Sequence, residues 1–129
     1  MIVVDSSVWI AHMCNTATEA VLKLRSLDHP DEIIVGDLVL LEVLQGAIDD
    51  RDAMRIESHL RKFRIERMLD DELATKAARN YRALRGHGVT VRKTIDTIIA
   101  TFCIEREHVL LHDDRDFDLM QVHLGLRTI

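Results

Sequence analysis

The sequence predicts an α/β fold: a single domain over residues 1–129, built as a three-layer α/β/α sandwich around a short parallel sheet. Three observations predict it. Short apolar runs alternate with helical stretches along the chain, the signature of βαβ units. Those runs are continuously apolar rather than alternating, as strands covered on both faces are. The composition is 47% hydrophobic and 30% charged with 5 Gly and 1 Pro, enough apolar residues for a core and too few breakers for a loop-rich or disordered chain.

Element by element, Ile2–Val4 is a β-branched run that ends on Asp5, and Val8, Trp9 and Ile10 are expected to pack a first helix. Glu19–Leu27 carries Ala20, Val21, Leu24 and Leu27 at a period of about 3.6 and reads as a helix. His29, Pro30 and Asp31 break the chain before a second apolar run, Ile33–Val35. Asp37 stands where an N-cap belongs, ahead of the helix LVLLEVLQ, which stops at Gly46. Asp49 or Asp50 starts the next helix, with Met54, Ile56, Leu60 and Phe63 inward. Arg64–Leu69 reads as a strand, and Asp70 and Asp71 open a helix through Arg85 that Gly86 closes. The loop HGVTVRK leads into TIDTIIATFCIERE, helical with Ile95, Ile98, Ile99 and Phe102 on one face. Val109–Leu111 is a fourth apolar run, and the tail VHLGLRTI is expected to hold a last strand.

In such a sheet, ligands bind outside the C-terminal strand ends. Asp5 follows the first strand, and Asp113 and Asp114 follow VLLH in the same way. Glu42 lies within LVLLEVL and Asp96 within TIDTIIA, both in apolar surroundings. A helix apolar all round is buried, and a buried carboxylate needs a partner or a cation. Strand-end acids often only cap the next helix, early-turn Asp96 has a favourable place in the helix dipole, and Asp114 and Asp116 fit surface turns. Taken together, the four acids predict one negative cluster that cations stabilise. Oxygen ligands without a Cys/His set suit Mg²⁺ or Mn²⁺ rather than Zn²⁺.

Other chemistries lack their motifs. There is no GxGxxG after the first strand, no phosphate-binding GxxxxGK[ST], and no GxSxG around Ser6 or Ser7. The seven histidines show no metal-binding spacing, and only His112 neighbours the candidate site. The N-terminus lacks a basic leader, Asp5 interrupts its apolar run, and no stretch reaches the roughly 20 apolar residues that span a bilayer. A cytoplasmic chain with no membrane partner is expected, with Cys14 and Cys103 reduced and structural.

The net charge of −5 argues against a nucleic-acid partner, but its distribution does not. Residues 51–93 hold twelve Lys and Arg against six Asp and Glu, whereas the rest of the chain holds five against sixteen. A basic middle with acidic flanks fits either solvated amphipathic helices or a surface doing two jobs.

The stretches IVVDSSVWI, LVLLEVLQGA, TVRKTIDTIIA and VLLHDDRDFD, in this order and spanning nearly the whole chain, resemble a PIN-domain ribonuclease, in particular a VapC-type toxin of bacterial toxin–antitoxin pairs. The resemblance implies one PIN-like domain over residues 1–129. Carried over position by position, Asp5, Glu42, Asp96 and Asp114 match the family's acidic quartet. Asp116 matches an additional acid beside the fourth, Ser6 a hydroxyl residue after the first, and Thr94 a polar neighbour of the helix acid. Asp113, Asp114 and Asp116 could share duties.

The resemblance implies an endoribonuclease that uses Mg²⁺ or Mn²⁺ to cut structured RNA, such as tRNA or ribosomal RNA. It also implies a homodimer and a cognate VapB-type antitoxin. In that reading Asp5 and Asp96 are the most direct metal ligands, Glu42, Asp114 and Asp116 complete the set, and Ser6 orients a ligand or water. Arg92 and Lys93 immediately precede the helix bearing Asp96 and are the first candidates for RNA contact. With one Trp, one Tyr and three Phe, extended base stacking is not expected, so RNA shape would guide target choice. The alternatives are a PIN-like binding module with a broken quartet and a phosphotransfer receiver domain. The receiver wants an acid pair after the first strand and a Lys after the fifth; here serines follow Asp5 and no lysine follows Lys93.

Overall fold

The computed structural model describes residues 1–129. Four strands, β1 (Ile2–Val4), β2 (Ile33–Gly36), β3 (Arg64–Glu66) and β4 (Val109–Leu111), form one parallel sheet in the order β3-β2-β1-β4. Val3 pairs with Ile34 on one side and Leu110 on the other. The chain runs outward from β1 through β2 to β3, then returns to lay β4 on the opposite flank of β1. The switch point of the topology therefore lies between β1 and β4, where open α/β sheets hold their ligands.

Seven helices flank the sheet: α1 (Ser6–Met13), α2 (Glu19–Arg25), α3 (Asp37–Gln45), α4 (Asp50–Leu60), α5 (Asp71–Gly86), α6 (Thr94–Glu105) and α7 (Arg115–Leu124). In one group α1 packs on both α2 and α3, and α3 packs on α4; α5, α6 and α7 form a second group that contacts β4 through α6. This is the expected α/β/α sandwich. The continuous apolar runs are buried as expected, with Ile34, Val35, Leu110 and Leu111 fully inaccessible. The edge strand β3 has no buried residue, whereas β1 and β4 are partly open only at their first residues, Ile2 and Val109. Trp9, Phe102 and Phe117 are the largest side chains of the core. No helix is long and apolar enough to cross a membrane.

Several expectations need correction. The tail is not a strand. Residues 115–124 form α7, capped by Asp114 and ended at Gly125, whose φ of 77° suits a residue without Cβ. Only Thr128 bridges to the sheet, beside Leu110. The strand proposed over Arg64–Leu69 stops at Glu66. Asp37 is not an N-cap: Gly36 takes that place, and Asp37 Oδ1 accepts a hydrogen bond from Met68 N at 3.0 Å. Met54 is 69% exposed rather than inward, because α4 buries Ile56 and Leu60 on its other side. Ile10 is largely exposed while Val8 and Trp9 pack. Leu41 is 52% exposed, so α3 is not buried all round and Glu42 is half-buried. Cys103 is buried, its thiol pushed up to about 12 by burial, and Cys14 is exposed; both are free.

Gly36 is needed for packing. A Cβ there would stand 2.1 Å from Met68 Sδ, and Met68 is 2% exposed. Gly36 and Asp37 together seat the segment after β3 against the end of β2.

Candidate active site

The site is built at the β1/β4 switch point. Asp5 leaves β1 and donates its N–H to Leu111 O at the end of β4, 2.9 Å away. As the N-cap of α1 its Oδ2 accepts from Ser7 N at 3.1 Å and from Ser7 Oγ at 2.6 Å. Ser7 Oγ in turn accepts from Asp113 N at 3.2 Å, joining the two strand ends. The second oxygen, Asp5 Oδ1, is buried with no hydrogen-bond partner.

Three other segments supply acids. The α3 helix brings Glu42, whose Oε1 accepts from Ser6 Oγ at 3.1 Å. The first turn of α6 brings Asp96, 3% exposed, with Oδ2 buried and unpartnered. The N-cap of α7 is Asp114, whose Oδ1 accepts from Asp116 N at 3.0 Å. Asp116 is buried, its Oδ2 lies 3.7 Å from Arg92 Nε, and no hydrogen bond satisfies that oxygen.

The charges of these groups act on one another. Burial pushes the Asp96 carboxyl up to about 7, and the charges of Asp5, Asp114 and Glu42 add to it while Lys93 opposes. Burial likewise raises Asp5 against the Ser7 hydrogen bonds, with the Asp114 charge adding. Glu42 is raised by burial, lowered by the Ser6 hydrogen bond, and raised again by Asp5. Desolvation plus like charges favour the neutral forms, which is the condition a cation relieves.

No three His, Cys, Asp or Glu side chains already stand in a metal-holding arrangement. Asp5, Glu42 and Asp114 each commit one oxygen to a hydrogen-bond donor. The donor chemistry nevertheless fits a hard divalent ion. The donors are all carboxylate oxygens, and buried oxygens of Asp5 and Asp96 have no partner.

The remaining candidates divide. Lys93 acts on Asp96 and Glu42 through its charge, and Arg92, 75% exposed in its side chain, faces Asp116. Thr94 makes none of the cluster's hydrogen bonds; it is exposed on the side of α6 that faces α5. The Asp113 side chain is exposed, and its backbone does the joining. His112 Nδ1 accepts from Asp114 N at 3.2 Å and its ring packs on Phe117, so it shapes the turn rather than facing the acids. Ser7 was not among the candidates. Its signal was present in the sequence, since a hydroxyl two residues after an Asp at a helix start commonly closes that cap.

A family model described as the PIN domain matches residues 2–122. Ribonuclease VapC11 of Mycobacterium tuberculosis is 31% identical over 123 residues, which cover 93% of this chain and 91% of that protein. Among solved structures, VapBC2 from Rickettsia felis, bound to a DNA fragment from its promoter, superposes with a TM-score of 0.79 at 14% identity, covering 100% of this chain and 98% of that one. Mycobacterium tuberculosis VapC20, described as a sarcin–ricin loop cleaving toxin, superposes at 0.68 with 18% identity, over 92% and 93% of the two chains.

Proposed function

The chain belongs to the PIN domain family, with VapC ribonucleases among its relatives, and on that premise we propose that it is a Mg²⁺- or Mn²⁺-dependent endoribonuclease, the toxin of a toxin–antitoxin pair. One observation carries the reading. Acids from four segments act on one another at the β1/β4 switch point, and Asp5 Oδ1 and Asp96 Oδ2 are buried there without a partner. The domain spans residues 1–129, the substrate is structured RNA such as tRNA or ribosomal RNA, and the compartment is the cytoplasm. The partners are a second copy of the chain and a VapB-type antitoxin.

Asp5 and Asp96 would hold the ion most directly, with Glu42, Asp114 and Asp116 completing the set. A bound divalent ion supplies an acidified water and neutralises charge on the phosphate. The chain's own residues position and screen. Ser7 pins one oxygen of Asp5 so that the other stays free, and Ser6 does the same for Glu42. The Asp116 N–H fixes Asp114, while Thr94 opens the helix on which Asp96 sits. Arg92 and Lys93 stand at the acidic rim, where they offset its repulsion of an RNA backbone. Attack of water on the phosphorus with departure of the 3′ oxygen would leave a 5′-phosphate and a 3′-hydroxyl, and would need no protein nucleophile.

The test uses the purified chain, free of partner, and total RNA with Mg²⁺, Mn²⁺ or EDTA. Cleavage with either ion and none with EDTA is expected. Asp5→Asn should abolish it, and should also remove the rise in Tm that Mn²⁺ gives the wild type. Intact RNA from folded chain whose Tm does respond to Mn²⁺ would sink the nuclease reading and leave a non-catalytic binding module in its place.

A further inference from the structure

We propose that the groove between α5 and α6 receives one unpaired nucleobase of the RNA, beside the acidic centre. This rests on the ribonuclease reading and adds a substrate-binding subsite to it. The groove encloses about 460 Å³ and is lined by Ala78, Tyr81, Arg82 and Arg85 of α5 and by Thr94 and Thr97 of α6, among others. That volume lies within the range of about 300–1,000 Å³ common for small-ligand pockets.

Its walls are mostly apolar, with Leu69, Ala77 and Ile98 among them, and its polar groups are Arg82, Arg85, Thr94, Thr97 and the Tyr81 hydroxyl. No carboxylate lines it, in a chain whose net charge is −5. Arg82 and Arg85 are exposed, and neither joins any of the ion pairs that occupy Arg55, Arg61, Arg64 and Arg92. Two free guanidinium groups at a groove mouth suit a phosphate on either side of a bound base. Tyr81, the only tyrosine, is half-buried in the wall and offers a ring on which a base can stack. Thr97 is 1% exposed, and its hydroxyl has no hydrogen-bond partner. A buried hydroxyl left unpaired is costly, and a base edge carries both donors and acceptors.

The groove also adjoins the helix turn that carries Asp96. Thr94 and Thr97 bracket Asp96 on the first turn of α6, so one helix end serves both places. Alternate sides of that turn face the groove and the acids. A base seated against Thr94 and Tyr81 would lie at the end of α6 that carries Asp96.

The test is binding of a fluorescently labelled RNA hairpin with a single-stranded loop, and of the same hairpin with abasic loop riboses, to the full chain in EDTA. Ala78→Phe fills the groove from an exposed position and should weaken the intact hairpin about tenfold or more, with little effect on the abasic one. Arg82→Ala with Arg85→Ala should flatten the salt dependence by about 0.7 per lost phosphate contact. Thr97→Val should give a smaller loss confined to the intact loop. Wild-type affinity in Ala78→Phe, from a chain that cuts total RNA with Mn²⁺, overturns the pocket and spares the nuclease reading. No cleavage of total RNA by the wild type overturns that reading first, and no binding of either hairpin by a chain that does cut overturns the pocket alone. If Ala78→Phe instead abolishes self-association on gel filtration and leaves RNA binding intact, the groove is an interface between copies and the proposal fails.

Discussion

At Asp96, burial and three neighbouring negative charges act in the same direction and raise the carboxyl from 3.8 to about 7. A folded-state value above the unfolded one means the folded chain holds the proton longer. The associated stability is complete below about 3.8 and is lost as pH rises through about 7. Asp96→Asn removes the titration and the buried charge together. With EDTA present, the wild type should therefore lose stability relative to Asp96→Asn between pH 5 and pH 8, by at least about 1 kcal/mol, read by urea denaturation at each pH. A constant difference would show that Asp96 stays ionised throughout. The acids were legible in the sequence because Glu42 and Asp96 interrupt apolar helices and Asp5 ends an apolar strand. The cap that Ser7 closes on Asp5 was legible too, but its link to Asp113, 106 positions away, was not, and Thr97 stands out only because its hydroxyl finds no partner. Neither of these last two properties is local.

Among the elements, β2 and α3 meet at a residue that has to lack a side chain. A Cβ on Gly36 would collide with the sulfur of buried Met68. Gly36→Ala should cost about 1–3 kcal/mol, and Met68→Ala in the same chain should return part of that loss. Additive losses in the double-mutant cycle would mean that the two residues do not press on each other. Gly36 is a reminder that a glycine inside an apolar run can mark close approach of another segment. The missed helix α7 has a different cause. It buries only Asp116, Phe117 and Met120, so its apolar face is narrow and its acids read as a turn. Its two ends were the better signal, with Asp114 capping one and Gly125 turning the other. The exposed faces of Met54 and Leu41 were misread for the opposite reason: an apolar residue at helical spacing need not face the core.

For the whole molecule, the basic middle and the acidic flanks meet at one place. Lys93 acts on the charges of Asp96 and Glu42, and Arg92 stands by Asp116. Arg92→Ala with Lys93→Ala should weaken RNA binding and lower the slope of log affinity against log salt by about 0.7 for each phosphate contact removed. An unchanged slope would clear both residues of the RNA backbone. The alternation of strands and helices made the sandwich legible, because covered parallel strands leave continuous apolar runs. The strand order was not legible, since it depends on which flank of β1 receives the last strand. That order governs when the site comes into being during synthesis. Asp5 is made almost first, yet the backbone it hydrogen-bonds to at Leu111, the Asp113 N–H that Ser7 accepts, and Asp114 itself all arrive near the end. A nascent chain halted before Val109 has no β4 to flank β1 and lacks one of the four acids. The acidic cluster is thereby complete only when synthesis is nearly finished.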